Sequence, residues 1–354
     1  MLTSLYYKAL NNKRYLQVES EKEDTSFLKD KWFIRPFAKS REDFSIAAGD
    51  GSFNKKKFLS FNYCPVGAES LIFDGELNQF DQSEIFEINP ISFLDELLSN
   101  YMSIFELKCC LKAILEYDVD YYLFDGSIFG DLQNPYPMGA KQPKDIKKGL
   151  NDGILNFFIE DINDLSDLSL SFPSIKRKVF PNVSGDDEDY NLYLSSIEKL
   201  LVLREVLKNN KKIISISKTS SANDLFTSKV PDIGILDQYT HKQGISKIIR
   251  KNVLKDSLIS FPVFNDFFNK LDFTIFYLRL EDNKNVLKVE LPYYASDDEV
   301  YKIAEIIKRD SAEGYPYLLK KAHNDVVITN KHVDELLKIG RVYETTNREY
   351  LKMW

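Results

Sequence analysis

Residues 44–53 read FSIAAGDGSF and residues 121–130 read YYLFDGSIFG. Each is an apolar run that closes on Asp-Gly-Ser, with Asp50 and Asp125 as the carboxylates. Short runs rich in Ile, Phe and Tyr, bounded by turn residues, predict β-strands. In an open α/β sheet, strand ends are where sites are built. A Gly after each Asp permits a tight turn and the close approach of a ligand. The plainer reading is a pair of Asp-Gly turns, a common turn dipeptide. The residues between the two segments bear on the choice.

Strand-like runs at 44–49, 57–64, 70–73 and 84–88 are separated by turn residues, and Asp74-Gly75 between apolar runs predicts a hairpin. This is an antiparallel meander. Residues 93–116 then take the helical period, and 119–124 return to strand. The order of meander, long helix and strand predicts an α/β domain with a mixed central sheet flanked by helices. Glu106 lies within that helix. Its helical neighbours Met102, Phe105, Cys109, Cys110 and Ala113 form an apolar or small face. Lys108, Lys112 and Glu116 are expected on another, solvated face. Glu96 and Glu116 are the other acids of this stretch, and Glu106 is preferred because its face is apolar. A buried carboxylate is costly unless it is paired or bound to metal; the plainer reading puts Glu106 at the edge of the stripe, in water. Strand Asp, helix Glu and strand Asp together supply three hard oxygen donors, which suit Mg²⁺ or Mn²⁺. Such sites activate water and stabilise the leaving oxygen in phosphodiester cleavage, with two ions about 4 Å apart. The ribonuclease H-like fold uses this layout.

The rest of the chain extends the α/β pattern. Residues 131–185 look irregular, and GDLQNPYPMGAKQPKD reads as a loop. Residues 186–209 predict a second strong helix, acidic at its start and basic at its end. KIISISK (212–218), FTIFYLRL and VLKVELP predict strands, and a helix follows Pro231. Ser296 and Glu299 predict a capping box for a helix at 297–309, with shorter helices at about 316–327 and 331–339. The expected organisation is an N-terminal extension (1–43), a first part of the core (44–130), an insertion with a long helix (131–210), and a second part with C-terminal helices (211–354). His323 shares a helical face with Leu319, Ala322, Val326 and Val327. It is either a core histidine or a metal ligand or proton carrier; an imidazole ligand leans a site toward Mn²⁺. Tyr315 is an ordinary aromatic beside a Pro turn or a hydrogen-bond donor to phosphate. Glu290, just before Leu291-Pro292, is either structural or a further acid near the site.

The bulk numbers narrow the class. A chain of 354 residues with 44% hydrophobic content supports a substantial core. No apolar run approaches the roughly 18 residues of a transmembrane helix, and the first residues lack a signal-peptide core. A soluble, cytoplasmic protein without membrane contact is expected. Three cysteines, two of them vicinal, make neither a disulfide framework nor a zinc site. With only three histidines, catalysis would rest mainly on carboxylates, hydroxyls or lysines. The net charge of −7 argues mildly against a nucleic-acid partner. Basic clusters at Lys55-Lys56-Lys57, Lys147-Lys148, Lys176 to Lys178, Lys211-Lys212 and Lys247 to Lys251 qualify that. The first directly follows the first Asp-Gly-Ser.

IAAGDGSF, the helix with Glu106, YYLFDGSIFG, ISISKTSS, VLKVELP and GYPYLLKKAHNDVVI, in that order, resemble the NurA family. NurA proteins are nucleases that work with the hexameric translocase HerA in DNA end resection. The resemblance runs from about residue 44 to 330. It implies a ribonuclease H-like core, a homodimer, and Mn²⁺-dependent cleavage of single- and double-stranded DNA, including 5′-to-3′ exonuclease action. The family's two Asp fall on Asp50 and Asp125, its Glu on Glu106, its late Tyr and His on Tyr315 and His323, and a Lys on Lys218. Lys55, Lys56, Lys57, Lys218 and Lys247 to Lys251 would line a DNA channel in the dimer, which predicts strongly salt-dependent binding. Two rivals are a non-catalytic DNA-binding adaptor of the translocase and a metal phosphohydrolase for small substrates.

Overall fold

The computed structural model of the chain describes residues 3–16, 25–144, 146, 150–185, 187–257 and 259–345; the Lys147-Lys148 pair lies outside them. Helix α1 (Thr3–Leu16) and strand β1 (Trp32–Ile34) come first. The meander follows as β2 (Ile46–Phe53), the two-residue β3 (Lys56–Lys57), β4 (Asn62–Phe73) and β5 (Leu77–Ile88). Then come α2 (Leu94–Leu115), β6 (Tyr121–Asp125) and α3 (Ile128–Gln133). Helices α4 (Asp152–Asn163), α5 (Phe172–Val179) and α6 (Glu188–Leu207) lead to β7 (Ile213–Ser217). After α7 (Asp232–Tyr239) the strands β8 (Gly244–Ser246), β9 (Ile249–Asn252), β10 (Asp272–Arg279) and β11 (Leu287–Leu291) complete the sheet. Helices α8 (Asp297–Arg309), α9 (Tyr317–Val326) and α10 (Asn330–Ile339) follow.

The meander is antiparallel: β2 pairs with β4, and β4 with β5. β6 then lies parallel to β2, and β7 parallel to β6. The order β5-β4-β2-β6-β7, with the long helix between meander and β6, is the ribonuclease H-like layout that the sequence predicts. β11, β10, β8, β9 and β1 extend the same sheet in antiparallel fashion. One face, through Ala47 and Tyr122, packs on α2 and α6; the other, through Ile46, Ala48 and Leu123, packs on α8 and α9. The helix at 297–309 begins with the predicted capping box of Ser296 and Glu299.

Three expectations change. The runs at 57–64 and 70–73 are not separate strands: β4 is continuous across Pro65 and Gly67. The Pro65 carbonyl accepts the Asn54 N–H at 3.1 Å, between the end of β2 and the start of β3. In an antiparallel strand a residue's N–H and C=O point the same way, so the proline forgoes only the reciprocal bond to Asn54, at the junction of β2 and β3, and the pairing of β4 with β5 continues past Pro65 and Ile85. Residues 131–185 are more regular than expected and contain α4 and α5. Lys108 is not on a solvated face. It is 1% exposed and ion-paired at 3.1 Å with the buried Glu198 of α6. Helix α2 is sandwiched between the sheet and α6, so it has no wholly wet side, and the lysine finds its counter-charge inside. Glu198 also accepts the N–H groups of Ser171 and Phe172, fastening the start of α5.

Candidate metal centre where β6 ends beside β2

The parallel register pairs Ile46 with Tyr121 and ends at Gly49 and Phe124. One step further, Asp50 and Asp125 lie side by side, and the two-residue period of a strand sends both to the same face. That face is the one covered by α9. Helix α9 directs Leu319 and Ala322 into the core and leaves His323 about half exposed at the sheet's end. The His323 Nδ1 lies 2.7 Å from Asp50 Oδ2. Asp50, Asp125 and His323 thus offer three ligand atoms within 4.8 Å of one another. The face that His323 shares in sequence with Leu319 and Ala322 therefore does not make it a core histidine.

The two aspartates have different surroundings. Asp50 Oδ1 accepts the Gly51 N–H at 2.8 Å. Burial raises the Asp50 carboxyl above its usual range; the His323 hydrogen bond opposes this and the Asp125 charge adds to it. Asp125 Oδ2 accepts Lys218 Nζ at 3.3 Å and, more distantly at 3.5 Å, Tyr315 Oη. Lys218 also lies over the Tyr315 ring, 4.5 Å from its centroid. Tyr315 is pushed well above the ordinary phenol range, first by burial and then by the Asp125 and Asp50 charges.

Glu106 approaches from the opposite face. It is 5% exposed, and its Oε1 is buried with no hydrogen-bond partner among the described residues. A Cβ on Gly51 would fall 2.7 Å from Met102 Cγ and 3.6 Å from Glu106 Oε2. The bare glycine is what lets α2 bring this carboxylate against β2. Burial raises Glu106 well above the carboxylate range, and the Asp50 and Asp125 charges add to that. The structure does not place Glu106 among the three clustered ligand atoms; it stands behind them. An unpartnered buried carboxylate beside two more acids and an imidazole is a donor set that fits a divalent cation.

The remaining candidates divide. Lys218 joins the cluster. Lys55 pairs with Asp95 and Lys56 with Asp334 at 3.1 Å, Lys57 is exposed, and none of the three bonds to the acid cluster among the described residues. In the 247–251 run, Arg250 pairs with Asp297 and Lys251 with Asp224. Glu290, which the sequence left open, is fully buried under the second Asp-Gly-Ser. It accepts Ser127 Oγ at 2.6 Å, the Phe129 N–H at 3.0 Å and Lys288 Nζ at 2.6 Å. Only the spacing of Lys288 and Glu290, two apart on one strand face, signals this role in the sequence.

A sequence model of the family described as NurA domain matches residues 44–328. The chain belongs to the NurA family. It is 30% identical, over 92% of its length and 85% of the relative's, to the probable DNA double-strand break repair nuclease NurA of Methanocaldococcus jannaschii. It is 28% identical to the DNA double-strand break repair nuclease NurA of Saccharolobus solfataricus, over 83% of this chain and 79% of that one. The crystal structure of the NurA nuclease from Sulfolobus solfataricus superposes with a TM-score of 0.75 at 22% identity, covering 99% of this chain and 98% of that one. A NurA crystal structure bound to dAMP and manganese gives a TM-score of 0.68 at 17% identity, covering 94% and 96%. The NurA fold is thus shared along nearly the whole chain. No helix among the described residues is long and apolar enough to cross a membrane.

Proposed function

We propose that the protein is a metal-dependent DNA nuclease, a phosphodiester hydrolase of DNA end resection and double-strand break repair. One observation carries the reading: in a chain of the NurA family, aspartates from two neighbouring strands and a helix histidine offer ligand atoms within 4.8 Å of one another. The names of the curated relatives, and the manganese and dAMP of a related structure, support it. In detail, the protein is a cytoplasmic homodimer that cleaves single- and double-stranded DNA 5′ to 3′, cuts single strands internally, and works with a HerA-type hexameric ATPase. Residues 44–130 and 211–354 are the two parts of its nuclease core, 131–210 an insertion, and 1–43 an extension.

Asp50, Asp125 and His323 would hold Mn²⁺ or Mg²⁺, with Glu106 completing a two-ion site from the α2 side. When bound, the metal supplies positive charge against phosphate oxygens and acidifies water. The chain's own groups supply the rest. Asp50 Oδ2 orients the imidazole of His323 through Nδ1, which prepares His323 to ligate metal or carry a proton. Tyr315 Oη and Lys218 Nζ, both directed at Asp125 Oδ2, orient and neutralise a phosphate. Lys55, Lys56 and Lys57 meet DNA further out.

The test is cleavage of end-labelled single- and double-stranded DNA with Mn²⁺, Mg²⁺ or chelator. Cleavage is expected only with metal. It should fall by at least about a thousandfold in Asp50→Ala and Asp125→Asn, on the scale of losing a principal catalytic group, while the unfolding midpoint stays near that of the wild type. Full activity in Asp125→Asn would refute the assignment.

A further inference from the structure

Beside the acid cluster is a cleft of about 270 Å³ whose lining includes Lys218, Lys284, Asn285, Tyr315, Lys320 and His323. Three of these also form the rim of the candidate metal centre: Lys218 and Tyr315 contact Asp125, and His323 contacts Asp50. Whatever fills the cleft is therefore continuous with whatever sits at the centre. The cleft is also an electrostatic exception. The chain carries a net charge of −7, yet this lining holds three lysines against the single carboxylate of Glu313. Lys218 pairs with Asp125, and Lys320 lies 3.6 Å from Glu313, where both side chains are more than half exposed. Lys284 has no ion pair among the described residues.

The wall that carries Lys284 is built rather than incidental. Between β10 and β11 the chain turns through Asn283 in the left-handed region (φ 58°). The Asn283 N–H is fixed on the His241 carbonyl at 2.8 Å, and the Lys284 N–H on that of Glu281 at 3.2 Å. Opposite stands the turn between Ser311–Ala312 and Tyr315–Pro316, with Glu313 at φ 55° and Gly314 at φ 79°. A Cβ on Gly314 would lie 2.6 Å from Lys284 Cβ, so the glycine lets the two turns close on each other and seats the lysine stem in the wall.

We propose that this cleft is a second-phosphate subsite. Lys284 and Lys320, assisted by the Asn285 amide, take the phosphate one nucleotide removed from the phosphate held at Asp50, Asp125 and His323. Lysine is a point-charge binder of phosphate, and a polynucleotide presents its phosphates at fixed intervals along one strand. The subsite makes a nucleotide chain the substrate class and leaves an isolated phosphate ester without the Lys284 and Lys320 contacts. The inference rests on the nuclease reading of the acid centre.

Calorimetric titration with Mn²⁺ present tests it, using thymidine 3′,5′-bisphosphate, thymidine 5′-monophosphate and thymidine 3′-monophosphate. The bisphosphate is expected to bind the wild type about tenfold tighter than the better monophosphate, the scale of one charge-assisted phosphate contact. In the double variant Lys284→Ala/Lys320→Ala that advantage should vanish, while monophosphate affinity stays within about twofold. Lys284→Gln alone provides a milder variant and should remove part of the advantage. Equal affinity of all three ligands for the wild type would overturn the subsite alone. So would a double variant that weakens mono- and bisphosphate equally, since that is a general charge effect. Failure of all three ligands to bind with Mn²⁺ would overturn the reading of the centre itself.

Discussion

The two Asp-Gly-Ser segments are identical in sequence and different in structure. The first is not a turn. β2 runs through Asp50, Gly51 and Ser52 and stays paired with β4 as far as Phe53 and Val66. Only its β6 neighbour ends at Gly49, which opens the Asp50 side of the strand. The second is a true turn: Gly126 has φ +134°, and Ser127 caps α3 by accepting the Gly130 N–H at 2.9 Å. Asp50 is therefore presented by an unbroken strand and Asp125 by a strand end, and their partners follow suit. His323 reaches Asp50 from α9, and Lys218 and Tyr315 reach Asp125 from loop edges. One tripeptide delivers two carboxylates to one face by two routes, because the face is set by the strand period and the register rather than by the tripeptide.

The two segments differ most in their supports. The second segment hangs on Glu290, a fully buried carboxylate that also neutralises the nearly buried Lys288. Removing one partner of a buried ion pair is expensive, so Glu290→Gln should lower unfolding free energy by about 3 kcal/mol. The first segment has a lighter fastening, in which Ser52 Oγ accepts the Ile328 N–H at 3.0 Å. Ser52→Ala should cost about 1 kcal/mol. Urea unfolding of the two variants decides it. Equal losses would mean that the buried carboxylate does not carry the second turn.

The two glycines differ as well, at a smaller energetic scale. Gly51→Ala puts a methyl 2.7 Å from Met102 Cγ, an overpacking expected to cost about 2 kcal/mol. Met102→Ala should relieve it, giving a coupling of about 1 kcal/mol in a double-mutant cycle. At Gly126 an added methyl meets nothing nearer than 3.5 Å, and the cost there is backbone strain of about 1–2 kcal/mol. Gly126→Ala combined with Met102→Ala should therefore be additive. Coupling at both glycines, or at neither, would remove the distinction between a strand glycine under a helix and a turn glycine.

The sequence made the layout legible because meander, helix and strand carry periodic apolar patterns, and β6, α2 and α8 lie within a residue or two of the expected bounds. It also placed Glu106 on a buried stripe. Register across the sheet was not legible. No local signal says that Asp50 and Asp125 fall on the same face, or that Glu106 arrives from the other. Lys108 was misread for a related reason: helical period marks a polar face but not whether another helix covers it, and α6 does. Glu290 and Lys284 act across distances of 163 and about 30 residues in the chain, to Ser127 and to Gly314. Only the fold brings those partners together.

The remaining expected effect shows only as pH changes, and concerns the helix that gives the first segment its histidine. Helix α9 is seated on Asp310. The Asp310 carbonyl accepts the Tyr317 N–H at 2.8 Å, and its carboxyl lies 3.4 Å from the Leu318 N–H. Burial pushes the Asp310 carboxyl up to about 6, with the Leu318 N–H and the Arg309 charge opposing it. An aspartate in the unfolded chain titrates near 3.9, so between about pH 4 and 6 the folded state holds a proton that the unfolded state releases. Its stabilising contribution is complete below about pH 4 and lost as pH rises through about 6, with an upper limit of roughly 3 kcal/mol. Asp310→Asn cannot release that proton. Its stability relative to the wild type should therefore improve between pH 4.5 and 7.5, as read by urea unfolding at both values. If the difference between the two proteins is the same at each pH, folding does not raise the Asp310 pKa, and the seat of α9 is indifferent to its charge.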